Sequence, residues 1–231
     1  MSRFILVAMT LTLAVTVAGC NRFPDNGLQI SAMLPPDDSC VFIDDADLRL
    51  LVGRYDVSVP DDTDYIIAPL LQSYLFSHGL DFQGEQANLQ VTNFEVTLRM
   101  EDGSSLDLPA PLVNPFQVNT SAVIPANQAR GGVTSAVAVG VGIPGSYKDA
   151  LRAITPPAGT GTTSILLDVR AIGTTYGGFT QRSPTFRWPV VLCNGCLTKA
   201  FCTREEYDAS CIPGQDIWPY CETVEAVVPT P

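Results

Sequence analysis

Histidine and positive charge are what this sequence has least of. His78 is the single histidine, which leaves little from which to build a nucleophile–base pair or a histidine-rich metal site. Its neighbour Ser77 does not supply one, because adjacent strand residues point to opposite faces and no G-x-S-x-G elbow occurs. Lys+Arg number 13 against 24 Asp+Glu, a formal net charge of −11. Nucleic acid and anionic lipid headgroups want a basic surface, so this balance argues against both as partners. There is no internal repeat. Phe4 to Val17 is an uncharged apolar run, yet it is shorter than the roughly 20 residues that span a bilayer.

That run has a different use. Arg3 makes a short positive start, the apolar stretch follows, and the small residues Ala18 and Gly19 close it, the pattern of an export signal. Val17-Ala18-Gly19-Cys20 resembles the lipobox of bacterial lipoproteins. The resemblance implies cleavage before Cys20, a diacylglyceryl group on its sulfur and an acyl chain such as palmitate on the new amine. Two or more chains anchor stably, since each buried CH₂ contributes about 0.8 kcal/mol and one chain holds only marginally. Asn21 in place of an aspartate points, by the sorting habits of that class, to the outer membrane. Removing residues 1–19 takes away Arg3 and leaves 12 Lys+Arg against 24 Asp+Glu.

With Cys20 given to lipid, Cys40, Cys193, Cys196, Cys202, Cys211 and Cys221 remain of the 7 cysteines. In an exported chain an even set reads as three disulfides, with connectivity open among about 15 arrangements. All but Cys40 lie in the segment 193–231, which has too few apolar residues for a core of its own; each bridge there contributes about 2–4 kcal/mol. Cys40 must reach that tail if every cysteine pairs. A Cys₄ zinc site is the rival for Cys193-x-x-Cys196, but it would leave two thiols over.

The 18 glycines and 18 prolines interrupt helices and suit short strands joined by turns. Residues 21–38 read as a polar, proline-bearing tether. Leu50 to Val59 reads as a strand ending at Pro60. Tyr65 to His78 fits a helix or a strand, and the β-rich surroundings favour a strand with Pro69 at an edge or bulge. Phe94, Val96, Leu98 and Met100 alternate with Glu95, Thr97 and Arg99, while Leu89 and Val91 sit in the opposite phase, so a β-bulge is expected near Asn93. Leu106 and Leu108 continue the pattern after a turn. Val137, Val139, Val141 and Ile143 alternate in phase. A short helix follows, with Ser146 and Asp149 as a capping box. Ile165 to Ala171 and Phe186 to Leu192 are the closing strands, with a turn at Gly177-Gly178.

This pattern predicts an all-β fold, an antiparallel immunoglobulin-like β-sandwich with one short helix and a disulfide-rich C-terminal extension. The expected division is a signal peptide at 1–19, the lipidated cysteine and tether at 20–39, the sandwich at 40–192 and the cysteine-rich extension at 193–231. The stretch GTTYGGFTQRSPTFRWPVVLCNGCL is similar to the close of sandwich domains in bacterial surface lipoproteins; that resemblance brings an architecture and no site.

Gly140-x-Gly142-x-x-Gly145 matches the dinucleotide fingerprint, with Asp168 as a conceivable ribose ligand. The helix is too short, the spacing too long and the second βαβ unit missing, so no nucleotide or other cofactor is expected. Asp61, Asp62 and Asp64, or Asp44, Asp45 and Asp47, offer oxygens to calcium without the rest of an EF-hand loop; solvated turn carboxylates are the plainer reading. Nothing fixes the separation of Glu205 and Glu206 as an acid pair. Tyr207, Trp218 and Tyr220 offer either a contact surface on a bridged loop or rings packed onto the sandwich. The function expected is a lipid-anchored envelope protein without enzymatic activity, binding an envelope protein or glycan or giving structural support. The alternative is an envelope hydrolase or a calcium-dependent glycan-binding module.

Overall fold

The long strand Leu89–Met100 shows most fully the period-two alternation that buries one side chain and leaves the next more open. The computed structural model describes residues 27–44, 48–60, 63–76, 85–128, 131–199, 211–218 and 220–221. In chain order the strands are β1 Leu28–Met33, β2 Gly53–Asp56, β3 Tyr65–Ile67, β4 Pro69–Ser73, β5 Leu89–Met100, β6 Phe116–Ile124, β7 Thr134–Val137 and β8 Gly140–Ile143. The helix α1, Lys148–Ile154, follows, and then β9 Thr162–Thr175, β10 Thr180–Arg182, β11 Phe186–Cys193, β12 Thr198–Lys199 and β13 Tyr220–Cys221.

The main sheet has the order β2-β11-β9-β5-β6, with β10 also paired to β9. Its pairings are antiparallel except for β2 with β11, which is parallel. A second sheet has the antiparallel order β1-β4-β7, β3 pairs with β8, and β12 with β13. One hydrophobic core joins the main sheet, the second sheet and the β3–β8 pair. Leu28 and Leu71 come from the second sheet, Tyr65 and Ile143 from the β3–β8 pair, and Phe94, Leu167 and Val190 from the main sheet. Burying a side chain of this size contributes about 1.5–3 kcal/mol. The fold is therefore mostly β with one short helix. The expected bulge is present, because the register of β5 shifts between Val91 and Asn93 against both β6 and β9. Tyr65–Ile67 and Pro69–Ser73 are strands, in different sheets, and Pro69 takes the first position of β4, where its missing N–H costs least.

Several expectations need correction. The stretch read as a tether contains β1, with Leu28, Met33 and Leu34 among the most buried side chains. Leu28, Ile30 and Ala32 alternate over too few residues to stand out beside the flanking Asn26-Gly27 and Pro35-Pro36 turn signals. Leu50 to Val59 keeps only Gly53–Asp56 as strand, and Leu51 is 88% exposed. Leu106 is buried, but it lies in a loop that turns back over β5.

Of the alternation from Val137 to Ile143, only Ile143 is fully buried. The alternation is split between β7 and β8 in different sheets, Val139 is exposed, and Ala138, Gly140 and Gly142 face inward. A Cβ on Gly140 would lie 2.9 Å from Phe94 Cδ2, and one on Gly142 would lie 2.6 Å from Ile67 Cγ2. Those glycines serve close packing, not a phosphate. The capping box is absent too. Tyr147 holds the cap position without a side-chain bond, and Asp149 pairs with Arg152 Nη1 at 2.5 Å. Instead α1 is fastened by the fully buried Lys148, whose ammonium donates to the carbonyls of Val59 and Pro60 beneath the Tyr55 ring.

Candidate functional site

The polar face of the main sheet is organised by register. Thr97 of β5 stands opposite Asp168 of β9, which stands opposite Arg187 of β11; Glu95 stands opposite Arg170. Directly paired residues project to the same side, so opposite charges meet there. Arg99 Nε donates to Asp168 Oδ2 at 2.7 Å, and Arg187 Nε donates to Oδ1 at 2.8 Å. Arg187 Nη2 adds a bond of 3.2 Å to Oδ2. Arg170 Nε donates to Thr185 Oγ1 at 2.7 Å, and its Nη1 reaches Glu95 Oε1 at 3.5 Å. Burial of Asp168 works to raise its pKa, but the Arg187 and Arg99 guanidiniums outweigh it and hold the carboxyl below its ordinary value. It is ionised and fully engaged.

The loop from Glu101 to Pro115 rises beside this lattice as a wall. Asn114 pins it to β5: its Nδ2 donates to the carbonyls of Leu98 at 2.8 Å and Leu106 at 3.1 Å, while its Oδ1 accepts from Leu98 N at 2.9 Å. Wall and sheet enclose an open groove of about 350 Å³, lined by Glu95, Thr97, Arg99, Asn114, Asp168 and Arg170 among others. That volume is at the lower end of small-ligand sites. Among the described residues the Nη2 groups of Arg99 and Arg170 have no protein acceptor. A planar guanidinium with free donors suits carboxylate or phosphate, and the neighbouring hydroxyl, amide and carboxylate groups suit a polyol.

By sequence alone, Glu95, Thr97 and Arg99 mark a wet face and Asp168 only a weak ribose ligand. The signal for the groove was the alternation on β5 together with Asp168-x-Arg170 on β9. It needs the strand order and register to become a site.

The cysteines lie elsewhere. Cys40 bonds Cys211 across 171 residues, and Cys193 bonds Cys196. Cys221 is disulfide-bonded as well. Asp56 of β2 stands in register with Cys193 of β11 and is fully buried. Its Oδ1 accepts from Gly195 N at 2.8 Å and Ser58 Oγ at 2.7 Å, and its Oδ2 accepts from Leu197 N at 2.7 Å and Thr198 N at 3.2 Å. Burial pushes the Asp56 carboxyl up, yet the bonds from Ser58, Leu197 and Gly195 prevail and leave its pKa lowered. Asp56, Cys193 and Cys196 are the one group of potential metal ligands among the described residues, and both sulfurs are already bonded to each other.

The tail is joined to the core at a buried polar junction. Trp188 Nε1 donates to Tyr65 Oη at 3.2 Å, and Tyr65 Oη donates to Asp216 Oδ1 at 3.0 Å. Gln215 Nε2 and Oε1 bond the carbonyl and N–H of Ile66 at 3.0 and 2.7 Å. The boundary expected after residue 192 is therefore crossed by bonds to β2 and β3. Trp218 and Tyr220 are both half-buried, and the Trp218 indole nitrogen is buried without a partner among the described residues. Asp64 Oδ1 accepts from Gly145 N at 2.7 Å, and Asp44 Oδ2 from Ser135 Oγ at 2.7 Å. Cys20, Asp45, Asp47, Asp61, Asp62, Ser77, His78, Cys202, Glu205, Glu206 and Tyr207 lie outside the described residues. No described helix is long and apolar enough to cross a membrane.

No protein-family model and no curated protein matches the chain. Among solved structures, the chain is similar to the periplasmic chaperone SfaE at 7% sequence identity and a TM-score of 0.27. The match covers 62% of this chain and 53% of the chaperone, so it takes in about half of that protein's length. A likeness of that size carries no argument about function, and the molecule's own geometry has to supply one.

Proposed function

We propose that this is a lipid-anchored lipoprotein of the bacterial envelope, held at the outer membrane through Cys20. In this reading the sheets form an immunoglobulin-like β-sandwich, and the role is binding or structural support rather than catalysis. The observation that carries it is the oxidised cysteine set: Cys40–Cys211, Cys193–Cys196 and bonded Cys221. Such bonds persist in oxidising compartments and are rare in the cytosol, in agreement with an export signal at the N-terminus. The binding surface is the arginine-lined groove, whose chemistry suits a carboxylate-bearing, hydroxyl-rich partner such as an acidic glycan.

Fractionation of cells that express the Cys20→Ser protein tests the anchor. The expected result is release from the membrane or stalled processing. A normally sized protein that still partitions with membranes overturns it. An array of neutral and acidic glycans probed with the wild-type and Arg170→Ala proteins tests the surface. Retention of acidic glycans by the wild type, lost in the variant, supports it; equal or absent retention removes the groove from the reading.

A further inference from the structure

We infer that Cys193–Cys196 is an exchangeable dithiol–disulfide pair, attacked at Cys196, while Cys40–Cys211 is the structural bridge. The two bonds differ first in what they tie. Cys40–Cys211 closes a sequence separation of 171 residues, whereas Cys193–Cys196 closes 3. The restriction a bridge places on the unfolded chain grows with the logarithm of the loop it closes. The short bridge therefore contributes least as a staple, and opening it costs the fold least.

The two sulfurs differ in access. Cys193 ends β11 with 1% of its surface exposed, whereas Cys196 is exposed. Thiol–disulfide exchange requires the attacking thiolate to approach one particular sulfur. Here that is Cys196 Sγ, and Cys193 is the leaving group. An external dithiol supplies the electrons. Its thiolate bonds to Cys196 Sγ, the Cys193–Cys196 bond breaks, and Cys193 leaves as a thiolate that takes a proton from water. The second thiol of the reagent then displaces Cys196, which takes the second proton as the reagent closes to its own disulfide. Two electrons and two protons pass to the protein, and a disulfide partner reverses the sequence.

The loop survives that opening because other bonds hold it. Asp56 accepts the N–H groups of Gly195, Leu197 and Thr198 on either side of Cys196. The backbone of β2 and β11 grips Cys193, whose carbonyl accepts from Val57 N at 2.8 Å. The reduced sulfurs thus stay within reach of each other, which favours re-closure. The inference does not depend on the lipid anchor or on the groove.

The test equilibrates the full-length mature protein with graded ratios of reduced and oxidised dithiothreitol under native conditions, followed by acid quench, alkylation and peptide mass spectrometry. Cys193 and Cys196 are expected to label together at ratios that leave Cys40 and Cys211 unlabelled and the far-UV β signal unchanged. Opening only in step with Cys40–Cys211 and loss of that signal overturns the inference. Two variants identify the attacked sulfur. With Cys193→Ser, Cys196 should form a mixed disulfide with glutathione disulfide about tenfold or more faster than Cys193 does in Cys196→Ser. Equal rates in two folded variants overturn the assignment to Cys196. Should a variant fail to fold, the wild-type titration still decides whether the pair opens alone.

Discussion

Replacing Asp56 by alanine removes the acceptor on which the 194–198 loop is hung. The native carboxylate accepts from Leu197 N, Gly195 N, Ser58 N and Ser58 Oγ at 2.7–2.9 Å, with Thr198 N and Oγ1 further out at 3.2 and 3.3 Å. A hydrogen bond to a charged group contributes about 1.5–3 kcal/mol net. The donors on Gly195 and Leu197 lie in a loop that water reaches, so the lower end applies to each. Together with the Ser58 hydroxyl, the expected loss is about 3–4 kcal/mol. Asp56→Asn keeps one acceptor oxygen and turns an N–H donor towards Leu197, for roughly half that loss. Urea unfolding followed by circular dichroism reads the difference, provided the slope is unchanged. The pH dependence has a definite sign. Because the folded pKa of Asp56 lies below the ordinary carboxyl value of 3.8, its contribution is complete above the unfolded pKa and is lost as pH falls through the folded one. The gap between wild type and variant should stay level from about pH 7 to pH 5 and narrow below about pH 4. A loss under about 1 kcal/mol, or a gap that does not narrow in acid, refutes the assignment of Asp56 as the loop's anchor.

Three further outcomes are expected. Gly173→Ala should cost several kcal/mol or abolish folding, because the new Cβ would meet the Gln90 carbonyl oxygen at 2.6 Å, where β9 passes the β5 bulge and backbone cannot give way; thermal melting within a few degrees of wild type sinks this. The double variant Cys40→Ser with Cys211→Ser should lose about 5 kcal/mol, more than the Cys193→Ser and Cys196→Ser pair, by the loop-length rule; the reverse order in denaturant midpoints contradicts it. Asp216 is held by burial above its ordinary pKa, so its ionisation weighs against the fold as pH rises above 3.8. Asp216→Asn, which tolerates φ 56, should therefore melt at or above wild type at pH 7 and lose that advantage at pH 3; a larger deficit at pH 7 than at pH 3 contradicts it.

The long strands were legible because their alternation is long. Phe94 to Met100 and Ile165 to Ala171 each repeat the in-out pattern often enough to exclude other periods, and the bulge at Asn93 announced itself as a phase slip. Short elements were not. In β1 the pattern runs for only a few residues between turn signals, and from Val137 to Ile143 small residues took the buried face because Phe94 and Ile67 come too close for anything larger. That reason lies in other strands and cannot be read locally. The groove was hidden for the same cause. Arg99, Asp168, Arg170 and Arg187 are scattered in sequence, and only the order β11-β9-β5 makes them neighbours. The oxidised cysteines were expected from their even number, but the partner of Cys40 was beyond reach of spacing.

The segment 214–216 has a role that hydrogen-bond geometry alone does not express. β2 is the outermost strand of the main sheet, and its outer side is met by Asp56 N to Gly214 O at 2.9 Å, by Asp216 N to Arg54 O at 2.6 Å and by a bridge between Tyr55 and Gln215. An open strand side of this kind is a template on which another molecule's strand can grow. The tail covers that template with its own backbone, and the Cys40–Cys211 bond keeps the cover nearby. Losing that cover would be felt as self-association between exposed strand sides well before it was felt as unfolding.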